Sequence, residues 1–408
     1  MRCGLLGRKL SHSYSPQIHS YLADYAYTLY EREPEDVGTF LQSGEFDALN
    51  VTIPYKKDVI PFCHHLSPAA KKLGAVNTIV RQKDGSLIGH NTDYFGFLST
   101  VQKTKISVNG KKVLVLGSGG ASVTAVAVLE ELGADVITIS RHGEHNYDNL
   151  DRHSDASLIV NATPVGMYPN NGVAPLTLSR FPQLEGVIDM IYNPARTALL
   201  QEAASRDIVA ENGLWMLVAQ AKESAEWFLG KELPNSLIPF IYRKLSLQMQ
   251  NIILIGMPGC GKSTIGQLLA DKLGRTFVDA DLYLVEKAGR SIPEIFALDG
   301  EETFRKLETE VLSELGKRSG LIISTGGGCI TRPENYPLLH QNGTIVWLQR
   351  PLETLPTEGR PLSQRNNLQE MYLRRKPLYE AFCDEIAENI DEPTIVVQTI
   401  IDRLHLEA

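Results

Sequence analysis

The chain has 408 residues, 43% hydrophobic and 22% charged: ample apolar material for globular folding, and more chain than one core serves, so two or three domains are expected. A formal net charge of -8 argues against a nucleic-acid surface, which needs clustered Lys and Arg, while leaving room for a small anionic substrate held by a few local cations. Five cysteines (Cys3, Cys63, Cys260, Cys329, Cys383) lie scattered without CxxC spacing, which speaks against a disulfide framework and for a reduced cytoplasm.

The N-terminus opens directly into the strand-like RCGLLG, with no basic-then-apolar leader pattern. No apolar run reaches the length needed to span a bilayer, so neither a membrane nor an export route is expected. Strand-like runs at 2–6, 48–53, 76–80, 113–117, 135–140, 157–161 and 186–190 alternate with helical stretches, the pattern of α/β layers with parallel sheets. One break falls near 100–110. A second, KELPNSLIPFIYRKLSLQMQ at 231–250, carries a Pro and an Asn-Ser turn signal before the fresh strand NIILIG. The expected domains are therefore 1–100, completed by 221–245, then 101–220, and finally 246–408.

The first glycine loop, VLVLGSGGAS at 113–122, follows a strand and precedes the helical SVTAVAVLEELG and a further strand, ADVITIS. That is the strand-helix-strand unit of a dinucleotide site, with Gly117, Gly119, Gly120 and Ala121 at the phosphates. Ser122 replaces the third glycine, so the loop carries weight mainly through its context. The second strand ends in Ser140-Arg141-His142, where an NAD site has an acidic residue. A cation there suits the 2'-phosphate of NADP, the alternative being an ordinary surface arginine. Cys63-His64-His65 is not read as a metal cluster, because adjacent residues rarely point at one ion.

NIILIGMPGCGKST at 251–264 is a complete Walker A sequence between an apolar strand and a helical pattern. Gly256, Gly259, Cys260, Gly261 and Thr264 would shape a backbone cradle for ATP phosphates, Lys262 would reach the terminal phosphates, and Ser263 would offer a hydroxyl to Mg2+. Cys260 reads as a small buried residue. FVDAD at 277–281 sets Asp279 and Asp281 at a strand end, one for Mg2+ and one for a substrate hydroxyl, or both as helix caps. Read alone, Arg305 in DGEETFRKLETE forms a surface pair with Glu301.

Taken with STGGGCI (324–330), EGRPLS (358–363) and LRRKPLY (373–379), these pieces resemble shikimate kinase over 251–405. The resemblance implies a P-loop NMP-kinase-like parallel-sheet domain in which Asp281, Arg305, Gly327 and Arg375 bind shikimate. It also implies that Asp279 supports Mg2+ and that Arg360 on a lid closes over ATP. Paired arginines suit a carboxylate, and a closing lid keeps water from the phosphoryl group. The stretch WLQRPLETLPTEGRPLS is shorter than the family pattern.

GRKLSHSYSPQIHS (7–20), LNVTIPYK (49–56), GAVNT (74–78), GHNTDYFGF (89–97), NATPVGM (161–167), DMIYNPARTALL (189–200) and NGLWMLVAQAKESAEWF (212–228) together resemble shikimate dehydrogenase from Met1 to about residue 245. The implied fold is a dehydroshikimate-binding subdomain plus a Rossmann-like NADP subdomain. The implied substrate pocket is Ser13, Ser15, Thr52, Asn77, Asp93, Tyr192 and Gln220, with Lys56 and Asp93 as the catalytic pair and Gly213 at the cofactor. Ketone reduction needs a hydride and a proton for the developing alkoxide, and Lys56 could supply the proton while Asp93 orients it. Without the other blocks, Lys56 reads as a solvated lysine and Asp93 as a turn residue. Serines 13 and 15 would aim their hydroxyls the same way if their segment is extended. Val123 stands where the family has a basic residue after the loop. RHGEHNYDNLDRHSDAS (141–157) is short, so a trimmed cofactor-domain helix is expected.

Together the two resemblances imply a bifunctional enzyme using NADPH, ATP and Mg2+ to turn 3-dehydroshikimate into shikimate and then shikimate 3-phosphate. The alternatives are one catalytic half beside a binding or regulatory module, or a quinate/shikimate dehydrogenase joined to another small-metabolite kinase.

Overall fold

A computed structural model describes residues 1–10, 13–355 and 365–406. Its contacts divide the chain into two compact units. The first holds residues 1–166, 173–192 and 199–243; the second holds 167–172, 193–198 and 244–408. The second unit thus takes two short segments from a stretch that the sequence assigns wholly to the cofactor-binding part.

The first unit contains two sheets. One is built from β1 (Arg2–Gly7), β2 (Ala26–Glu31), β3 (Ala48–Val51), β4 (His65–Leu66), β5 (Thr78–Arg81) and β6 (Leu87–His90), in the order β2-β1-β3-β5-β6-β4. It is mixed rather than parallel: β5 runs antiparallel to β3 and to β6. The five residues between β5 and β6, with Gly85 at φ +87°, form a tight reversal, and so short a link can only join antiparallel neighbours. The other sheet is fully parallel, with β7 (Lys112–Leu116), β8 (Asp135–Ile139), β9 (Leu158–Asn161), β10 (Gly186–Asp189) and β11 (Val209–Glu211) in the order β11-β10-β9-β7-β8. The chain leaves β7 for β8 on one side and returns to β9 on the other. The crevice at this reversal, at the carboxyl ends of β7 and β9, is where open α/β sheets bind ligands, and the first glycine loop follows β7 there.

The second unit carries a parallel sheet of β12 (Asn251–Ile255), β13 (Thr276–Asp279), β14 (Leu321–Ser324), β15 (Gly343–Gln349) and β16 (Glu385–Glu388), in the order β13-β14-β12-β15-β16. β12 and β14 are buried along their whole length and β15 nearly so, as strands covered on both faces must be, which explains runs such as NIILI without alternation. The Walker sequence follows β12 at the reversal between β14 and β15.

The segment at 231–250, read from its turn signals as a break, holds a boundary between the two units at 243/244, yet most of it is the helix Leu237–Met249. Ile238, Ile241, Leu245 and Met249 recur at helical spacing and are buried, and that stripe outweighs the Pro and Asn-Ser signals at its start. Arg275 donates from Nη1 to the Gln250 carbonyl at 2.8 Å and from Nη2 to the Leu247 carbonyl at 2.6 Å, satisfying the open C-terminal end.

Candidate active sites

In the first unit a cleft of about 550 Å³ is lined by Ser13, Ser15, Thr52, Lys56, Asn77, Asp93, Tyr192, Gly213 and Gln220 among others. These come from distant stretches of sequence. Lys56 sits just past β3 on a firmly held loop: its carbonyl accepts from Val76 N at 2.7 Å, and the neighbouring Tyr55 is fully buried with its hydroxyl donating to the Arg32 carbonyl. Asp93 opens the helix Asp93–Thr104, where the helix dipole favours a carboxylate. Lys56 Nζ donates to Asp93 Oδ2 at 2.6 Å, and Asn77 Nδ2 donates to Asp93 Oδ1 at 3.0 Å. Asn77 is fixed in turn, its Oδ1 accepting from Thr92 N at 2.8 Å.

Gln220 reaches the cleft from the helix Leu214–Leu229, packed against the Asp93 helix. A Cβ on Gly96 would lie 2.9 Å from Gln220 Cβ and from the Met216 carbonyl, so glycine lets the two helices meet here. Tyr192 lies edge-on to Tyr14, ring centroids 6.2 Å apart; burial, then Tyr14, pushes its phenol above the usual range and keeps it neutral. The serine segment departs from expectation. Tyr14 has φ -80° and ψ -5° and precedes the helix Ser15–Leu22, so the segment is a turn, and Ser13 Oγ accepts from Ser15 N at 3.2 Å. The turn arises because Pro16 suits the first turn of a helix better than a strand. Both serines nonetheless line the cleft.

At the first glycine loop Gly117 adopts φ +107°, and a Cβ there would meet Thr163 and the Ala162 carbonyl at 3.1–3.2 Å. Nothing lies within 4 Å of a Cβ placed on Gly119 or Gly120, at the open N-terminus of the helix Gly120–Glu131. Exposed backbone N-H groups beside free space fit a dinucleotide phosphate. Ala121 is exposed on the first turn and Ser122, in place of a glycine, is buried. Arg141 is exposed just beyond β8, and Ser140 N donates to the His145 carbonyl at 3.2 Å, closing that loop. Within the short stretch at 141–157 stands only a 3-10 helix, Tyr147–His153, capped by Asn146. Gly213 sits so close to Met190 that a Cβ would lie 2.1 Å from its carbonyl oxygen.

In the second unit Gly256, Gly259 and Gly261 take φ of +146°, +81° and +98°, curling the loop before the helix Lys262–Leu273, whose first turn holds Thr264. Lys262 Nζ donates to the Gly256 and Met257 carbonyls at 3.0 and 3.2 Å. Cys260 is buried, and its thiol is pushed up chiefly by burial. Ser263 Oγ donates to Asp279 Oδ2 at 2.6 Å, while Asp279 Oδ1 accepts from Asp281 N and Leu282 N at 3.0 and 3.2 Å. Asp279 therefore caps the helix Ala280–Ala288 and faces the loop serine at once. A hydroxyl and a carboxylate beside a phosphate cradle make a donor set that suits Mg2+.

The triple glycine gathers the remaining candidates. A Cβ on Gly326 would lie 2.6 Å from Glu308 Oε1 and 2.8 Å from Asp281 Oδ1, and one on Gly328 would lie 2.4 Å from Arg305 Nη1. Gly327 packs on Pro258, and its carbonyl accepts from Arg375 Nη1 at 3.1 Å and Tyr379 Oη at 2.8 Å. Burial, then Asp279, holds the Asp281 carboxyl above the usual range. Arg305 does touch Glu301 at 3.2 Å, yet it is 13% exposed and its shorter bond, 2.8 Å, goes to the buried Glu308. That is no surface pair. Arg360 lies outside the described residues.

Three residues at this site were not singled out from the sequence. Glu308 anchors Arg305; Ser324 Oγ lies 3.4 Å from Ser263 Oγ; and Asn389 Nδ2 braces the Cys260 carbonyl at 2.7 Å. Only Glu308 carried a signal, standing one helical turn after Arg305.

The shikimate kinase family profile matches residues 258–405, and the profile of the shikimate dehydrogenase substrate binding domain matches residues 5–79. Shikimate dehydrogenase (NADP(+)) of Clostridium beijerinckii is 35% identical over 259 residues, covering 59% of this chain and 96% of that protein. Among solved structures, shikimate dehydrogenase 1 of Peptoclostridium difficile is 38% identical with a TM-score of 0.54, covering 60% of this chain and 98% of the other. The Thermus thermophilus shikimate 5-dehydrogenase, solved with NADP(H) and shikimate, is 29% identical with a TM-score of 0.55 and covers 60% and 99%.

Proposed function

The chain belongs to the shikimate dehydrogenase family through its N-terminal part and carries a shikimate kinase domain behind it, and from that premise we propose that it catalyses two consecutive reactions. The first reduces 3-dehydroshikimate to shikimate; the second phosphorylates shikimate at its 3-hydroxyl, both in the cytoplasm. When bound, NADPH supplies the hydride, and ATP with Mg2+ supplies the phosphoryl group. The carrying observation is the convergence of Ser13, Ser15, Thr52, Asn77, Tyr192 and Gln220 on one cleft around the Lys56–Asp93 pair.

In the dehydrogenase site the ketone oxygen gains a proton as its carbon gains hydride. Lys56 Nζ holds a proton within reach of the cleft, and Asp93 fixes the direction of that ammonium while Asn77 fixes Asp93. Ser13, Ser15 and Tyr192 offer hydroxyls to the substrate's oxygens. Arg141, exposed just beyond β8, would meet the 2'-phosphate that separates NADP from NAD.

In the kinase site Arg305 and Arg375 clamp the shikimate carboxylate, and Asp281 takes the proton of the attacking hydroxyl. Lys262 would exchange its loop carbonyls for phosphate oxygens, and Ser263 with Asp279 would hold the cation. The test is direct: purified chain is given 3-dehydroshikimate with NADPH and, separately, shikimate with ATP and Mg2+. NADPH loss in one and shikimate 3-phosphate in the other are expected; silence in either removes that half of the proposal.

A further inference from the structure

Two cations line the cleft of the first unit, and their circumstances differ. Lys56 is paired with Asp93 at 2.6 Å. Lys9 lines the same cleft, is exposed to solvent, and forms no ion pair among the described residues. The backbone that presents it is fixed on both sides. The Gly7 carbonyl accepts from Arg32 N at 3.1 Å, Leu10 N donates to Glu31 Oε1 at 2.6 Å, and the Leu10 carbonyl accepts from Ser13 N at 3.1 Å. Leu10 itself is buried, and Arg8 is taken up by Glu33 at 2.9 Å. Of the three residues Arg8, Lys9 and Leu10, the first is ion-paired and the last is apolar, so Lys9 is the one that brings a charge to the cleft.

The hydroxyls of Ser13 and Ser15 can donate to a carboxylate but bring no charge to it. An ammonium without a partner brings the charge, and its four-carbon stem lets it meet an anion at the mouth of the cleft. We propose that Lys9 binds substrate in this cleft, supplying the counter-charge for the substrate carboxylate and so selecting acids over their neutral analogues. This rests on the reading of the cleft as a 3-dehydroshikimate site. Because Lys9 is exposed, the contact is partly solvated and screened by salt, and its effect is about tenfold rather than a thousandfold.

The test compares wild-type chain with Lys9→Met and Lys9→Arg. The proposal expects KM for 3-dehydroshikimate to rise about tenfold in Lys9→Met, with kcat within about twofold, KM for NADPH unchanged, and most of the loss restored by Lys9→Arg. Added KCl should raise KM in the wild type and barely move it in Lys9→Met. An unaltered KM, or a fall in kcat without a change in KM, overturns the proposal. A wild type that reduces nothing defeats the functional reading instead, and calorimetric titration then still reads Lys9: shikimate should bind more tightly than its methyl ester to the wild type and lose that advantage in Lys9→Met. An equal advantage in both proteins overturns the assignment.

Discussion

In the first unit the catalytic candidates are already paired, Lys56 on one oxygen of Asp93 at 2.6 Å and Asn77 on the other at 3.0 Å, whereas at the second site Lys262 rests on carbonyls of its own loop, and Glu308 Oε1 and Arg375 Nε are buried there without a partner among the described residues. Buried polar atoms without partners are costly, and native structures keep few of them. The contrast has a chemical reason. Ketone reduction needs one proton donor held in a set direction, which a fixed lysine-carboxylate pair provides. Phosphoryl transfer needs cations that close on a highly charged ligand, and here Lys262 and Arg375 donate to loop carbonyls whose place a ligand's oxygens can take.

If each site works by its own groups, disabling one must spare the other. Lys56→Ala should cut 3-dehydroshikimate reduction by about 10²–10⁴-fold, the scale of a general acid-base group, and leave shikimate phosphorylation intact. Lys262→Ala should lower the phosphorylation rate by about 10²–10³-fold, as loss of one charge-stabilising donor does, and leave NADPH oxidation intact. Either substitution silencing both activities in a folded chain would show that the two sites are not independent.

Smaller effects sharpen it. Arg141→Ala should raise KM for NADPH about tenfold with little change in KM for NADH, because only the former carries the 2'-phosphate. Glu308→Gln should destabilise the second unit by about 1–3 kcal/mol by leaving a mostly buried Arg305 less well paired, seen as a lower urea midpoint. The kinase should also lose activity on the acid side at a higher pH than an ordinary carboxylate would dictate. Asp281 must be ionised to accept a proton, and burial raises its pKa, so the loss begins earlier as pH falls. A pH profile of kcat/KM for shikimate checks this.

Much of this was legible because both sites rest on contiguous motifs after long apolar strands. The glycine loops, the paired aspartates of FVDAD and the NVTIPYK block each join residue types to a local geometry, and short-range rules can read that. Strands β2, β4, β6 and β11 escaped, since AYTLYE is mostly exposed and the others run only two to four residues, too short for periodicity to show. The antiparallel turn of β5 depended on a short link, and the helix Leu237–Met249 hid behind a Pro and a turn signal that its apolar stripe overrides. Ser324 and Asn389 matter through tertiary proximity alone: Asn389 supports Cys260 from 129 positions away, whereas Glu308 stands one helical turn from Arg305. Alternation of Ser13 and Ser15 holds a shared direction only in an extended segment, and here Pro16 starts a helix instead.

Two independent sites acting in sequence on one metabolite are tested by one incubation of the full chain with 3-dehydroshikimate, NADPH, ATP and Mg2+, with products followed over time. Wild type should yield shikimate 3-phosphate with NADPH consumed in equal amount, Lys262→Ala should stop at accumulated shikimate, and Lys56→Ala should leave 3-dehydroshikimate while still phosphorylating added shikimate. A Lys262→Ala chain that accumulates no shikimate, or a wild type that consumes NADPH without forming the phosphate, would contradict it.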